Sequence, residues 1–91
     1  MNNKVLVSVE IPEIGSSYDV FVPINEQVWK ISKLISKVVS DLTGVNLSTK
    51  DSYVFINKEN GSIYSNNNII ADTDIRNATE LILLKVDVNQ Q

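Results

Sequence analysis

The sequence contains neither cysteine nor histidine in its 91 residues. Without cysteine there are no disulfides, no thiolate nucleophiles and no cysteine-based zinc sites. Without histidine the commonest general base and the commonest metal ligand are both missing. No P-loop or Gly-x-Gly-x-x-Gly motif is present to hold a phosphate group. We therefore expect a protein that is not an enzyme and that carries no cofactor and no metal.

Long apolar runs and excess positive charge are also missing. No stretch approaches the roughly 20 apolar residues of a membrane span, and Glu10 and Glu13 interrupt the N-terminal region where a signal peptide would be apolar. The formal net charge is −3, whereas proteins that bind nucleic acid are usually basic. We expect a cytoplasmic protein that neither inserts into membranes nor binds nucleic acid.

Hydrophobic periodicity organises the first half of the chain. Alternating valines predict a strand over residues 4–11, a turn follows around Gly15, and residues 18–22 form a second strand. A spacing of three and four then predicts a helix over residues 26–42, with Asn25 as N-cap and Gly44 at its end. The predicted core stripe is Val28, Ile31, Ile35, Val38 and Leu42, with Leu34 and Val39 on its flanks.

The second half of the chain predicts strands around a tight turn. Residues 53–57 form a third strand, Asn60-Gly61 indicates a hairpin, residues 63–64 form a short return strand, and residues 80–86 form the last strand. One amphipathic helix must then cover one face of a mixed sheet of four or five strands. This order predicts a single α+β domain of the β-grasp type over residues 1–91, with its core at about 4–86 and a frayed tail at 87–91.

The segment from the predicted hairpin to the last strand carries a resemblance to ubiquitin-like domains. In such domains a glycine turn leads to an apolar residue, an aspartate two residues later, an isoleucine three after that and a leucine six further on. This sequence matches with Gly61, Ile70, Asp72, Ile75 and Leu81. The resemblance implies that Ile70 and Ile75 anchor a winding segment, that Asp72 caps or braces its turn, and that Leu81 and Leu83 enter the core. The pair Asp72 and Asp74 is then interpreted as turn and capping residues, since a calcium loop needs more acids.

Within that superfamily the chain resembles the YukD/EsaB family of small bacterial proteins. The features that match are Tyr18-Asp19-Val20, Val22-Pro23, the helix directly after that proline, and the leucine-rich last strand. The resemblance implies a non-catalytic component or regulator of a type VII secretion system in a Gram-positive bacterium. Its partner would be the membrane-bound secretion ATPase or another cytosolic domain of the machinery. The alternative is a general ubiquitin-like adaptor unrelated to secretion.

A conjugated or sulfur-carrying tag is the class that the sequence disfavours. Such proteins end in Gly-Gly, because only glycine threads the narrow channel of the activating enzymes. This sequence ends in Val88-Asn89-Gln90-Gln91 and has no glycine pair anywhere. We therefore expect a non-conjugating protein.

Two surfaces are candidate partner-binding sites. On the helix, Trp29, Lys30, Lys33 and Lys37 point away from the core, and no acid occurs between Gln27 and Ser40. Tryptophan is enriched at binding hot spots, and Trp29 and Lys33 are spaced for a cation–π contact. The alternative is that Trp29 packs under the N-terminal hairpin loop and that the lysines form a solvated face.

The second candidate is the outer face of the sheet, which alternation assigns to Leu6, Val54, Ile56, Ile82 and Leu84. The third strand is apolar at every position from Tyr53 to Ile56, so the outward placement of Val54 and Ile56 is one of two options. An apolar surface of this kind indicates association. A protein partner, a homodimer or cover by the tail would each bury it.

Overall fold

The computed structural model describes residues 3–44 and 52–86, and its first element is a β-hairpin. Strand β1 (Lys4–Ile11) pairs antiparallel with strand β2 (Ser16–Pro23), and Ile11 lies opposite Ser16 across a four-residue turn. Gly15 in that turn has a φ of 67°, which glycine adopts without the steric cost that a Cβ would add. The valines of β1 alternate as predicted, so Val7 and Val9 are buried.

Two further strands complete the sheet. Strand β3 (Ser52–Asn57) pairs antiparallel with strand β4 (Glu80–Val86), and β4 pairs parallel with β1. The strand order is β2-β1-β4-β3. The predicted return strand at 63–64 is reduced to one isolated bridge between Ile56 and Ile63. A four-stranded mixed sheet crossed by one helix is the ubiquitin-like β-grasp, so the predicted fold class is confirmed.

The helix α1 (Val28–Thr43) begins two residues later than predicted. Its N-cap is Gln27 and not Asn25, and no side chain caps it. Instead, backbone carbonyls of the 66–68 loop accept its first N–H groups: Val28 donates to Asn68 at 2.9 Å and Trp29 to Asn66 at 3.2 Å. These bonds satisfy donors that a helix start otherwise leaves without partners. Gly44 ends the helix in the left-handed conformation as predicted, with φ 74°.

The buried face of α1 differs from the predicted stripe. Val28, Ile31, Ile35 and Val39 are buried, and so are Ser32 and Ser36. Three residues that the periodicity assigned to the core stripe or its flank are exposed: Leu34 at 44%, Val38 at 37% and Leu42 at 70%. The serine hydroxyls are satisfied within the helix, because Ser32 donates to the Trp29 carbonyl at 3.0 Å and Ser36 to the Ser32 carbonyl at 2.9 Å. The helix is therefore rotated toward its serines, and an apolar flank remains in water.

The segment before β4 behaves largely as predicted. Ile70, Ile75, Leu81 and Leu83 are all buried. The expected capping or bracing by the Asp72 side chain is not found, because that side chain is exposed and no side-chain hydrogen bond caps the start of the turn within residues 3–44 and 52–86. The neighbouring Thr73 hydroxyl instead donates to the Ile70 carbonyl at 2.6 Å, which closes the 3₁₀ turn Ile70–Asp72. The predicted tail at 87–91 lies outside the described residues.

Candidate protein-binding surfaces

The Trp29 side chain lies on the outer side of α1, where 36% of the residue is exposed. Its indole N–H donates to the Gln27 Oε1 at 3.0 Å. The Nζ atoms of Lys30 and Lys33 each lie 5.5 Å from the ring centroid. The predicted cation–π contact is therefore confirmed, and a second lysine shares the ring. Glu13 of the hairpin loop accepts a hydrogen bond from the Tyr53 hydroxyl at 2.9 Å.

The lysines of this helix face differ in how far they are paired. Lys30 also lies 3.6 Å from Glu26, an exposed i,i+4 pair that contributes little to stability. Lys33 and Lys37 are exposed, and neither makes an ion pair with any residue that the structure describes. The helix face of Trp29, Lys30, Lys33 and Lys37 thus offers an aromatic ring beside two uncompensated positive charges. Such a face suits an acidic protein surface.

The outer face of the sheet carries a second apolar group, and the register of β3 settles its composition. Val54 lies opposite Leu84 and Ile56 lies opposite Ile82. Tyr53 and Phe55 are buried beneath the helix, so Val54 and Ile56 point to the outer face. Leu84 is exposed, and the other three are half-buried. We call these four residues the outer-sheet cluster.

The predicted outer-sheet set does not form one patch, because Leu6 lies apart from the rest. Leu6 is opposite Phe21 of β2, near the other edge of the sheet. On β1, Ser8 and Glu10 separate Leu6 from the outer-sheet cluster, since they lie opposite Glu80 and Ile82. The outer face therefore holds two apolar groups with a polar strip between them.

Phe21 and Ile63 are exposed apolar residues beside these groups that the sequence analysis did not assign to a surface. Phe21 is 62% exposed beside Leu6. Its position between the inward Val20 and Val22 is the alternation signal that could have identified it. Ile63 is also exposed and bridges to Ile56, which extends the outer-sheet cluster toward the hairpin turn. A short return strand gives too few residues for alternation to place Ile63.

Polar contacts hold the hairpin turn beside the outer-sheet cluster. The Asn57 side-chain amide donates to the Tyr64 hydroxyl at 3.1 Å, and Tyr64 donates a short hydrogen bond to Asp74. The pKa of Asp74 is lowered mainly by this hydrogen bond from Tyr64. Burial, followed by the bond to Asp74, raises the pKa of Tyr64. Lys58 at the same turn forms an ion pair with Glu10 at 3.1 Å. The turn that carries Ile63 is therefore fixed to the sheet.

The described parts of the chain contain neither a metal-binding cluster nor a membrane-spanning helix. Residues 3–44 and 52–86 contain no cluster of three acidic side chains suited to holding a metal ion. Among the same residues no helix is long and apolar enough to cross a membrane. The helix face and the outer-sheet cluster remain the candidate sites.

Comparison with known proteins supports the fold through structure rather than through sequence. No family model matches the chain, and a search of curated proteins finds no match. A chain of the MycP5-free ESX-5 inner membrane complex is similar with a TM-score of 0.79 and 14% identity, covering 99% of this chain but only 23% of that one. The EccD5 ubiquitin-like domain from Mycobacterium xenopi has a TM-score of 0.70 at 11% identity, with 97% of this chain and 100% of that domain covered.

A plant protein extends the same likeness beyond bacteria. A ubiquitin-like domain from Arabidopsis thaliana has a TM-score of 0.70 at 18% identity, with 99% of this chain and 85% of that chain covered. The TM-scores show the ubiquitin-like fold, and identities this low show nothing beyond the fold. One fold serves many functions. Function must therefore be argued from the surfaces.

Proposed function

We propose that this protein is a non-catalytic, cytoplasmic ubiquitin-like component of a type VII secretion system. It acts by docking on another protein of the machinery. The observation that supports this role best is the likeness, over 99% of the chain, to a chain of the ESX-5 inner membrane complex. The full-length likeness to the EccD5 domain points the same way. The ESX-5 complex is a type VII assembly, and the sequence motifs resemble the YukD/EsaB family of the same kind of system.

The surfaces fit a role in docking better than a role in catalysis. The helix face brings a tryptophan and uncompensated lysines together, and the outer-sheet cluster supplies apolar area, which are the two components of a protein interface. The sequence lacks cysteine and histidine, so thiolate and imidazole chemistry are not available to it. The partner we propose is the membrane-bound secretion ATPase or another cytosolic domain of the machinery. The helix face would meet an acidic surface there.

A general adaptor unrelated to secretion is the second candidate function. The observation that favours it is the plant ubiquitin-like domain, which matches this chain with the same TM-score as the EccD5 domain. The two functions differ in the proteins that the chain binds in its own cells. They share the same surfaces, so variants of those surfaces test both.

The experiment is quantitative mass spectrometry of proteins that co-purify with the tagged protein from its own cells. It compares the unaltered protein with Trp29→Ala, Leu84→Glu and a control, Leu42→Glu. Leu42 is 70% exposed and belongs to neither surface. Enrichment of secretion components that is lost in either surface variant and kept in the control supports the proposal. Enrichment of unrelated proteins favours the adaptor, and covalent adducts at the C-terminus would overturn the non-conjugating role.

A further inference from the structure

Strand β2 lies at an edge of the sheet with backbone groups turned outward. On β1, the backbone N–H and C=O groups of Leu6 and Ser8 point toward the β4 side of the strand. The Leu6 carbonyl accepts a hydrogen bond from the Ala78 N–H at 2.8 Å, and the Ser8 N–H donates to the Thr79 carbonyl at 3.0 Å. The intervening residues of β1 must then pair with β2, since backbone groups alternate sides along a strand. The register therefore turns the N–H and C=O groups of Ser17, Asp19 and Phe21 away from the sheet.

The opposite edge of the sheet is covered at Phe55 and Asn57. Asn57 of β3 donates its N–H to the Ser62 carbonyl at 2.8 Å, and Phe55 accepts from the Tyr64 N–H at 3.2 Å. No backbone bond of this kind reaches Ser17, Asp19 or Phe21 from any residue in 3–44 or 52–86. An uncovered edge is a template on which a further strand can pair.

An apolar cleft lies beside this uncovered edge. It has a volume of about 210 Å³ and is lined by Val20 and Phe21 from β2 and by Leu34, Ile35 and Val38 from α1. Pockets that enclose small molecules usually range from about 300 to 1,000 Å³. The cleft is below that range, and the size suits one or two apolar side chains of a peptide. The rotation of α1 toward its serines is what leaves Leu34 and Val38 available here.

The charges around the cleft select the kind of peptide. Lys30 and Lys37 lie at the i−4 and i+3 positions from Leu34 on α1. The Lys30 Nζ lies against the Trp29 ring and Glu26 in the unbound protein, whereas Lys37 is exposed and makes no ion pair with any residue that the structure describes. The Asp19 side chain projects to the outer face of the sheet, since Asp19 lies opposite Ser8. Asp41 lies one turn beyond Lys37, toward the end of the helix. Acidic groups on an incoming segment would therefore be favoured beside Lys37, and beside Lys30 in exchange for its exposed pair with Glu26.

A second copy of this chain fits the cleft less well. Two β2 edges related by a twofold axis would place their helices side by side and antiparallel. The lysine-bearing helices of the two copies would then lie near each other, and like charges in close contact are unfavourable. The charge pattern selects a different, acidic partner.

We propose that the cleft between β2 and α1 binds an extended segment of a partner protein by strand addition. The segment pairs with the backbone of Ser17, Asp19 and Phe21, inserts an apolar side chain between Leu34 and Val38, and carries acidic residues that meet Lys30 and Lys37. Main-chain bonds give such complexes affinity, and the pocket gives them specificity. The proposal is independent of the secretion role, because it rests on the edge, the cleft and the charges alone.

The probe is a displayed library of random nonapeptides selected against the whole protein. A parallel selection uses Val38→Glu, which places a carboxylate in the cleft. Its matched control is Ile69→Glu, because Ile69 is also 37% exposed but does not line the cleft. We expect enriched peptides to combine alternating apolar residues with Asp or Glu. Binding of the strongest peptide should fall about tenfold or more in Val38→Glu and should persist in Ile69→Glu.

Amide hydrogen exchange then locates the peptide. Binding should slow exchange at the amides of Ser17, Asp19 and Phe21. The amides of Tyr18 and Val20, which already pair with β1, should change little. The proposal is overturned by protection that falls on the outer-sheet cluster, by equal enrichment on Val38→Glu, or by equal binding of a peptide in which every acid is replaced by lysine. Sedimentation that shows a dimer formed through this cleft would overturn it as well.

Discussion

The orientation of α1 can be tested with two adjacent valines. Periodicity assigns Val38 to the core stripe and Val39 to its flank, whereas in the structure Val39 is 0% exposed and Val38 is 37% exposed. The substitutions Val39→Ala and Val38→Ala make the same chemical change at neighbouring positions of one helix. Any difference in their effect on the free energy of unfolding therefore reports the direction in which each side chain points.

The expected magnitudes follow from burial. At Val39, loss of two buried methyl groups costs about 1.6 kcal/mol in transfer free energy, and the remaining cavity adds about 1 kcal/mol. The higher helix propensity of alanine offsets about 0.5 kcal/mol. A net loss of about 2 kcal/mol would lower the Tm of a domain this size by roughly 8–16 °C. At Val38 no closed cavity forms, and we expect a change within about 0.5 kcal/mol.

Urea denaturation followed by circular dichroism at 222 nm measures both variants against the unaltered protein. The m-values should stay constant, so that the difference in midpoint reports stability alone. Equal destabilisation by the two substitutions would refute the described rotation of α1. A larger loss in Val38→Ala would restore the helix face that the periodicity predicts, and it would also remove Val38 from the cleft.

Three further outcomes are expected. The Tyr64 hydrogen bond lowers the pKa of Asp74 below its ordinary value of 3.8. The stability that this bond contributes is therefore present above that value and is lost as the pH falls through the folded-state pKa. In urea denaturation between about pH 5 and pH 2, the free energy of unfolding should fall less with acid in Asp74→Asn than in the unaltered protein. Trp29→Ala should weaken partner capture while its Tm, measured by thermal denaturation, stays within about 4 °C of the unaltered value; a much larger fall would show a core role. Leu84→Glu should weaken partner binding or self-association measured by sedimentation, and unchanged sedimentation and binding would remove the outer-sheet cluster as a contact surface.

Features fixed by neighbours along the chain could be predicted from the sequence. The alternation of β1, the left-handed Gly44 and the contact between Trp29 and Lys33 each depend on residues within one or two turns. The start of α1 could not be predicted, because the carbonyls that cap it come from Asn66 and Asn68, about 40 residues further along the chain. The outward face of β3 was ambiguous because both of its faces are apolar, and only pairing with β4 distinguishes them.

The cleft depends on the sheet order as well, since β2 is an edge strand only once β4 has inserted beside β1 on its other side. A periodicity analysis that counts only apolar residues also fails to predict the cleft. Such an analysis treats serine as polar and draws the predicted stripe toward Val38 and Leu42. The spacing of Ser32 and Ser36, four residues apart on one face, was the available signal that both could be buried together.

The buried serines link the packing of α1 to its exposed surface. A serine that bonds to a carbonyl of its own helix leaves no unsatisfied hydroxyl, so Ser32 and Ser36 can be buried without the usual penalty. They occupy positions on the core face that a purely stability-driven sequence would give to larger apolar residues. The large side chains Leu34 and Val38 lie instead on the flank, where their exposure adds little to folding. Stability alone does not explain this distribution of side chains. A segment that pairs with the edge of β2 and covers the flank would explain it, because the same rotation that buries the serines opens the cleft.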